Sequence, residues 1–293
     1  MNAINKIKAK LHNIKKETNW VRITIFIIFT LYAFTIFYAF LWTLINSLKD
    51  PVEYILYPNK KPEKLLFKNY KEAFSLLQAN GAGFFDMFFN SIWITCARSF
   101  TSIACLACAG YVFAKCKFVG KDIIYNVLIF SMMLPLYGAS STGVKLIHNL
   151  GLYDSPLYPI ISSASMQGMM MLVIRTYFNG ISNEYAEAAK MDGAGNYRIF
   201  LQIMLPLAWP CLSSLLILML IEGWNDYLMV LYYMPSYLTV PTGLYLYSET
   251  AKFNINYPVY FAGIILTCVP SVLLYVLTQN RILNNVAMGG IKG

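Results

Sequence analysis

The chain has 293 residues, of which 58% are hydrophobic and only 13% are charged. An ordinary soluble domain carries roughly a quarter charged residues, so a chain this apolar cannot cover a water-facing surface. The net charge of +9 does not indicate nucleic-acid binding, because the basic residues lie mainly in short segments between apolar runs. This placement is the positive-inside bias of membrane proteins, and several membrane spans are therefore expected.

The basic N-terminus leads into an apolar run from Ile23 to Ile45. A cleaved signal peptide has a shorter apolar region followed by small residues at its cleavage site. This run reaches the length of about 20 residues that a bilayer requires, and it ends without such a site. We therefore predict an uncleaved first span.

Six runs have the length of spans and are separated by charged or Pro- and Gly-rich breaks. They comprise residues 21–46, 87–114, 123–140, 157–178, 207–232 and 257–280. The sequence thus predicts an all-α membrane protein with six transmembrane helices. The fourth run contains Ser162, Ser163, Ser165 and Gln167, so we expect it to face other helices and not lipid.

Lys and Arg residues indicate the orientation. With the N-terminus inside, the short external loops carry only Lys145 and Lys252. The longer loop of residues 47–86 contains more lysines, but it also contains acidic residues, and long loops translocate largely regardless of charge. Both termini are therefore expected in the cytoplasm. The proline-punctuated external loop is either a small lid or docking surface, or a solvated connector.

The most informative segment is residues 183–206, between the fourth and fifth predicted spans. Ser182 or Asn183 is a suitable N-cap, and Glu184 and Glu187 favour the positive end of a helix dipole. The alanines that follow are strong helix formers with little bulk.

Two glycines, Gly193 and Gly195, then break this helix. Asn196 can start a second helix that runs into Pro206. The segment therefore predicts a compact helix–turn–helix at the membrane surface. It is either a hub through which another protein moves two transmembrane helices, or an ordinary amphipathic connector.

The fixed residues of this segment are Glu187-Ala188-Ala189, Gly193, Ile203, Leu205 and Pro206. Their pattern, E-A-A-x3-G-x9-I-x-L-P, resembles at full spacing the cytoplasmic EAA loop of bacterial binding-protein-dependent ABC importer permeases. The D-G-A form at residues 192–194 is common in carbohydrate importers. In that family the loop forms a coupling helix that docks in a groove on the ATP-binding subunit. The resemblance implies an ATPase-coupling role for Glu184, Glu187, Ala188, Ala189, Asp192 and Gly193.

Other stretches resemble the maltose-G-like permeases of this family. They are Phe89-Asn90-Ser91, residues 110–120, Leu150-Gly151-Leu152, Trp224-Asn225-Asp226-Tyr227 and residues 279–293. Ser182 and Tyr185 depart from the proline and leucine usual in the family, which leaves the coupling assignment intact.

The resemblance implies that this chain is one subunit of a multi-subunit transporter. The sequence contains no P-loop of the form G-x4-G-K-[ST], so this chain does not supply ATP hydrolysis and is not predicted to be an enzyme. The implied partners are two ATP-binding subunits that bind ATP-Mg, a second permease subunit that forms a heterodimer with this one, and an extracytoplasmic solute-binding protein. The implied location is the bacterial plasma membrane. The family's C-terminal tail contact with the ATPases carries over to Gly290, Ile291 and Lys292. No cofactor is expected in this chain.

The carbohydrate-type motifs imply a sugar or oligosaccharide as the substrate. An ABC permease for a non-sugar solute is the alternative. An ion-coupled secondary transporter is less favoured, because neither inverted repeats nor buried ion sites are evident in the sequence.

Polar groups within spans are costly and often functional. Asn90, Glu222 and Asn225 are therefore candidates for the translocation path. Each has a structural alternative: Asn90 could form an interhelical hydrogen bond, and Asn225 could lie at the external interface. Glu222 could pair with Arg98 or with a group on the partner permease. Cys105-x-x-Cys108 has the spacing of a redox or metal motif. It lacks a second pair or a nearby His, so packing residues are expected there.

Five regions are predicted. They are a cytoplasmic N-terminal segment (1–20), the first transmembrane helix (21–46), the extracytoplasmic loop (47–86), a core permease domain of five spans (87–280) and a cytoplasmic tail (281–293).

Overall fold

The structure is a computed structural model of the chain and describes residues 2–78, 81–133, 140–165, 168–250 and 255–290. Within these ranges the side chains of residues 2–19, 76, 140 and 283–290 are not described. The regular elements of the described ranges are all helices, which confirms the predicted all-α class.

The helices follow one another in this order: α1 (Asn2–Ser47), α2 (Pro51–Leu56), α3 (Lys68–Leu76), α4 (Phe84–Lys115), α5 (Lys121–Met133), α6 (Ser140–Asn149), α7 (Tyr158–Ser163), α8 (Met169–Gly180), α9 (Glu184–Met191), α10 (Asn196–Ile199), a π-helical turn (Phe200–Met204), α11 (Leu205–Asn225), α12 (Tyr227–Tyr233), α13 (Val240–Thr250) and α14 (Tyr257–Gly290).

Four helical stretches among the described residues are long and apolar enough to cross a membrane: Trp20–Ser47, Phe84–Lys115, Asn196–Asn225 and Tyr257–Ile282. They correspond to the first, second, fifth and sixth predicted spans. The fifth differs in its limits, because its helix begins at Asn196 and ends at Asn225, before the turn that starts α12. The chain is therefore a membrane protein by its length of apolar helix.

The third and fourth predicted spans stay predictions. Helix α5 has 13 residues, about 20 Å of helix and less than the ~30 Å hydrocarbon core, and residues 134–139 lie outside the described ranges. The fourth predicted span corresponds to α7 and α8, which are separated by residues 164–168. Gln167 lies outside the described residues.

The chain divides into two compact units: residues 1–72 with 256–265, and residues 73–255 with 266–293. In the first unit, aromatic rings pack where α1 ends. The ring of Tyr54 lies 5.4 Å from that of Phe261 and 6.2 Å from that of Trp42, both edge-on. The Trp42 indole also donates a hydrogen bond to the Asn59 side chain at 3.0 Å. These contacts fold the start of the predicted external loop against the end of α1.

A buried polar cluster completes the same turn. Lys49 is fully buried, and its ammonium donates to the carbonyls of Tyr57 (2.8 Å) and Pro58 (3.0 Å). The Asn69 amide donates to the carbonyls of Ser47 and Lys49, both at 2.8 Å. Burial lowers the pKa of Lys49, because the charged form loses its hydration. Residues 46–69 are thus held by internal hydrogen bonds.

In the second unit, α4 is the central helix and packs against α7, α8, α11 and α13. Ser162 and Ser165 of the serine-rich fourth run are exposed and Ser163 is half-buried, so the expectation that this run faces other helices and not lipid stays a prediction. Helices α4 and α8 approach closely at Gly110, where an added Cβ would lie 2.5 Å from Ile174 Cγ2 and 3.3 Å from the Arg175 backbone nitrogen. Small residues at such crossings let helix backbones approach closely in membrane proteins.

Gly110→Ala is expected to destabilise the second unit, because the new methyl group has no space between α4 and α8. Overpacking costs about 1–3 kcal/mol, which outweighs the helix propensity gained. Thermal unfolding of the purified protein in detergent measures the change. Gly180→Ala is the matched control, since a Cβ there meets no atom within 4 Å. Equal melting temperatures for the two variants would contradict the assigned contact.

Candidate functional site

The segment that carries the sequence motif folds as α9, a turn and α10, and we call residues 181–204 the hub. Helix α9 begins at Glu184, whose amide donates to the Ser182 hydroxyl at 3.2 Å. Of the two predicted caps, Ser182 therefore supplies the side-chain contact. Glu184 and Glu187 lie in the first turn, where negative charge is favourable.

The turn after α9 is a Schellman motif. The amide of Ala194 donates to the carbonyl of Ala189 at 2.9 Å, and the amide of Gly193 donates to that of Lys190 at 3.0 Å. Gly193 has a φ of +81°, a left-handed conformation that glycine adopts without strain. The predicted break at Gly193 and the predicted second helix starting at Asn196 are both present.

The hub has an inner face buried against the bundle. Ala189 is 9% exposed, and Ile199 and Met204 are each 1% exposed. They belong to one apolar cluster with residues of α4, α8 and α11, among them Phe113 and Phe178. Ala189 thus fixes the hub to the bundle, and its side chain is not on the outer surface.

The outer face of the hub is exposed. It carries the other motif residues: Glu184, Glu187, Ala188, Asp192 and Gly193. Three large side chains of the same segment are also exposed, Tyr185 at 54%, Met191 at 89% and Tyr197 at 86%. Sequence reasoning missed these three residues. The available signal was a large apolar side chain at each of three positions within a charged segment.

Lys115, the last residue of α4, anchors the start of the hub. Its ammonium donates to the carbonyl of Ile181 at 2.5 Å and to the side-chain oxygen of Asn183 at 2.7 Å. Asn183 therefore uses its side chain to bind α4 and does not cap α9.

Arg175 of α8 makes a second set of links near this end of α4. Its guanidinium lies 3.8 Å from the centroid of the Tyr125 ring on α5. It also donates to the carbonyl of Phe113 at 3.4 Å. Cation–π contacts of this kind stabilise by about 0.5–2 kcal/mol. The ends of α4, α5 and α8 are therefore joined beside the hub.

Two of the candidate path residues are engaged by neighbouring groups. The Asn90 amide donates to the carbonyl of Leu238 at 3.2 Å and accepts from the Trp93 indole at 3.0 Å. The Asn225 amide donates to the carbonyl of Ile221 at 2.8 Å and to the Ser271 hydroxyl at 3.2 Å. A part in the translocation path stays a prediction for both.

Arg98 pairs with Asp226 and not with Glu222. Its guanidinium lies 2.7 Å from the Asp226 carboxylate, and both side chains are about a quarter exposed, at 25% and 30%. The same carboxylate accepts from the amide of Met229 at 3.1 Å and so caps α12. The pair therefore joins α4 to the break between α11 and α12.

Glu222 lines a cavity of about 550 Å³ formed by α4, α7, α8, α11 and α12. Its wall also includes Arg98, Ser99, Ser102, Ser162 and Ser163. A volume of this size lies within the range of small-molecule sites. Of the three candidate path residues, Glu222 is the one that the structure places on this cavity wall.

The remaining predicted site residues lie at the C-terminus. Helix α14 ends at Gly290, whose burial is not described. Ile291 and Lys292 lie outside the described residues. Cys105 and Cys108 are free thiols on α4. Within the described ranges no group of three His, Cys, Asp or Glu residues is placed to hold a metal ion.

Comparison with known proteins identifies a family that this chain matches. Residues 106–281 match the family described as binding-protein-dependent transport system inner membrane component. The diacetylchitobiose uptake system permease protein NgcG of Streptomyces coelicolor is 27% identical, covering 89% of this chain and 86% of the relative. The arabinooligosaccharides transport system permease protein AraQ of Bacillus subtilis is 28% identical, covering 90% and 92%. The inner membrane ABC transporter permease protein YcjP of Escherichia coli is 27% identical, covering 92% and 94%.

A solved structure has the same fold. It is a chain of a bacterial ABC transporter involved in the import of the acidic polysaccharide alginate, with a TM-score of 0.74 and 21% identity over 88% of this chain and 95% of that chain. A second structure, of a bacterial alginate ABC transporter in complex with a periplasmic protein bound to an alginate pentasaccharide, aligns with a TM-score of 0.58 and 16% identity, covering 87% of this chain and 95% of the other.

Lys115→Ala is expected to loosen the hub, because the carbonyl of Ile181 and the side chain of Asn183 lose a charged donor. Hydrogen bonds to charged groups contribute about 1.5–3 kcal/mol, so amide hydrogen exchange over residues 181–194 is expected to accelerate about tenfold or more. Mass spectrometry of the exchanged protein gives the rates. Lys117→Ala is the control, since Lys117 is exposed and two positions away. Unchanged exchange in the Lys115 variant would contradict the anchoring role.

Proposed function

The chain belongs to the family of binding-protein-dependent transport system inner membrane components, and from that premise we propose that it is a permease subunit through which an ABC importer takes up a sugar or oligosaccharide. The proposed coupling of this chain to an ATPase rests on the structure of the hub. Its inner face is buried in the bundle, while the motif residues Glu184, Glu187, Ala188, Asp192 and Gly193 lie on an exposed outer face.

The outer face of the hub is suited to receive another protein. Interface cores are enriched in aromatic residues and Met, and Tyr185, Met191 and Tyr197 supply such anchors here. Ala188 and Gly193 are exposed and have little or no side chain, so a partner's backbone can approach them closely. We propose that the partner is the ATP-binding subunit, and that ATP-Mg is bound there and not by this chain. Ala189 then acts from the buried side, by fixing α9 to the bundle.

The proposed substrate class rests on the relatives. Two relatives are named for diacetylchitobiose and arabinooligosaccharides, and both align over most of their length with this chain. The D-G-A form of the hub sequence agrees with this class. An ABC permease for a non-sugar solute is the alternative, and an ion-coupled secondary transporter is less favoured.

The proposed topology has six spans with both termini in the cytoplasm of a bacterial cell. Helix α5 with the residues that follow it supplies the third span, and α7 with α8 supplies the fourth. The core permease domain is residues 87–280, preceded by the N-terminal segment, the first span and the extracytoplasmic loop of residues 47–86. In this arrangement the hub and the tail of residues 281–293 lie on the cytoplasmic side.

The proposed assembly contains this chain, a second permease subunit and two ATP-binding subunits, and it accepts solute from an extracytoplasmic binding protein. The family's description as binding-protein-dependent supports the last partner. Gly290, Ile291 and Lys292 are proposed as a secondary contact with the ATP-binding subunits.

Ala188→Asp is expected to release the ATP-binding subunit, because the partner's surface would have to desolvate an added charge. Burying an unpaired charge at an interface costs about 2–5 kcal/mol, so ATPase recovery in co-purification is expected to fall more than about tenfold. Val119→Asp is the control, since it adds the same charge to a fully exposed position on another loop. Ala188 is a better test than Gly193, where a side chain would also strain the left-handed backbone.

Equal ATPase recovery from the two variants would contradict the coupling assignment. The substrate class is tested separately, by uptake of labelled solutes into proteoliposomes that contain the whole importer and its binding protein. ATP-dependent uptake of an oligosaccharide is expected. Uptake of amino acids or peptides but of no saccharide would favour the non-sugar alternative. Uptake that needs an ion gradient but no ATP would overturn the importer proposal.

A further inference from the structure

The cavity beside α4 has a wall rich in hydroxyl groups. Six hydroxyl-bearing residues line it: Ser99, Ser102, Tyr158, Ser162, Ser163 and Ser165. The lining also includes four methionines, which are flexible and apolar. Such a wall offers hydrogen bonds to a polyhydroxyl ligand and an adaptable apolar surface to the carbon–hydrogen faces of its rings.

One of these hydroxyl groups is buried without a partner. Ser99 is 2% exposed, and its oxygen makes no hydrogen bond within the described part of the chain. Leaving a buried polar group unsatisfied costs about 1–3 kcal/mol, and such groups in native proteins are rare. Ser99 therefore points to a ligand that supplies the missing hydrogen bond.

The two charged side chains on the cavity wall differ in whether a described residue already pairs with them. The Arg98 guanidinium is already engaged by Asp226 at 2.7 Å. Glu222 is exposed to the cavity and forms no ion pair with any described residue. The free charged group offered to a ligand is therefore a carboxylate, which accepts hydrogen bonds from hydroxyl groups and repels an anion.

We propose that this cavity is a subsite for an uncharged saccharide unit, in which Ser99 and Glu222 bind ligand hydroxyl groups, and that it discriminates against acidic saccharides. The inference rests on the proposed function and adds the charge class of the substrate. An acidic sugar would place its carboxylate beside Glu222, while Arg98 on the same wall is already paired with Asp226. An uncharged sugar meets no such repulsion and can donate to the carboxylate.

The test uses the purified importer in nanodiscs, with both permease subunits and the ATP-binding subunits but without the binding protein. Saturation-transfer difference NMR detects weak binding of two probes of equal length, a neutral tetrasaccharide and a tetrasaccharide of uronic acids. The wild-type protein is expected to bind the neutral probe more tightly. Glu222→Gln is expected to reduce the ratio of the two dissociation constants about tenfold or more, because it removes the repulsion and one charged acceptor.

Ser99→Ala is expected to weaken binding of the neutral probe about twofold to tenfold, the effect of one neutral hydrogen bond. It is not expected to change the ratio of the two dissociation constants. Glu63→Gln, on the exposed loop between α2 and α3, is the control for loss of one carboxylate and is expected to change neither constant. An unchanged ratio in Glu222→Gln together with unchanged binding in Ser99→Ala would overturn the subsite.

The outcomes also separate this inference from the proposed function. Saccharide uptake by the wild-type importer with no charge preference at the cavity would contradict the subsite and leave the transport proposal standing. Absence of any saccharide uptake by the complete importer with its binding protein would contradict both. If Glu222→Gln prevents assembly, as judged by size-exclusion chromatography, the Ser99 variant decides: unchanged binding of the neutral probe overturns the subsite.

Discussion

The close approach of α4 and α8 at Gly110 is the constraint on which the second unit depends. Because position 110 has no side chain, Ile174 Cγ2 lies within 2.5 Å of where a Cβ would be, and the Arg175 backbone nitrogen lies 3.3 Å from it. Five residues later α4 ends at Lys115, which therefore reaches the carbonyl that precedes α9. A larger residue at position 110 would move α8 away, and the hub would lose its anchor along with the interhelical packing.

The same helices join the hub to the cavity. Helix α4 carries Lys115 at the hub and Ser99 on the cavity wall, about 25 Å apart at 1.5 Å per residue. Helix α11 continues directly from the buried Met204 of the hub and carries Glu222 near its other end. In the proposed mechanism, a movement of the hub is transmitted as a displacement of packed helices, since close-packed bundles shift between discrete arrangements and do not deform continuously.

Local chemistry made much of the hub predictable from the sequence. The glycine at position 193, the acidic first turn and the small residues define a short helix and its end by their own backbone preferences. The sequence could not show which side chains of the hub face the bundle and which face outward. Ala188 and Ala189 are chemically identical, and only packing decides that one is exposed and the other buried. The partner of Arg98 was equally undetermined, because Glu222 and Asp226 lie one helical turn apart and the helix break at Asp226 is a tertiary feature. Nothing in the lysine-rich loop indicated that Lys49 would be buried with its ammonium bonded to two carbonyls.

In the proposed mechanism, the outer face of the hub touches the ATP-binding subunit during transport. Cysteine cross-linking tests it directly, with Ala188→Cys in an otherwise cysteine-free chain and a single cysteine on the ATPase groove, assembled into proteoliposomes. A cross-link is expected to form at position 188, to block ATP-driven uptake and to be released by reduction with recovery of transport. Efficient cross-linking of Val119→Cys but not of Ala188→Cys, in an importer that remains active, would contradict it.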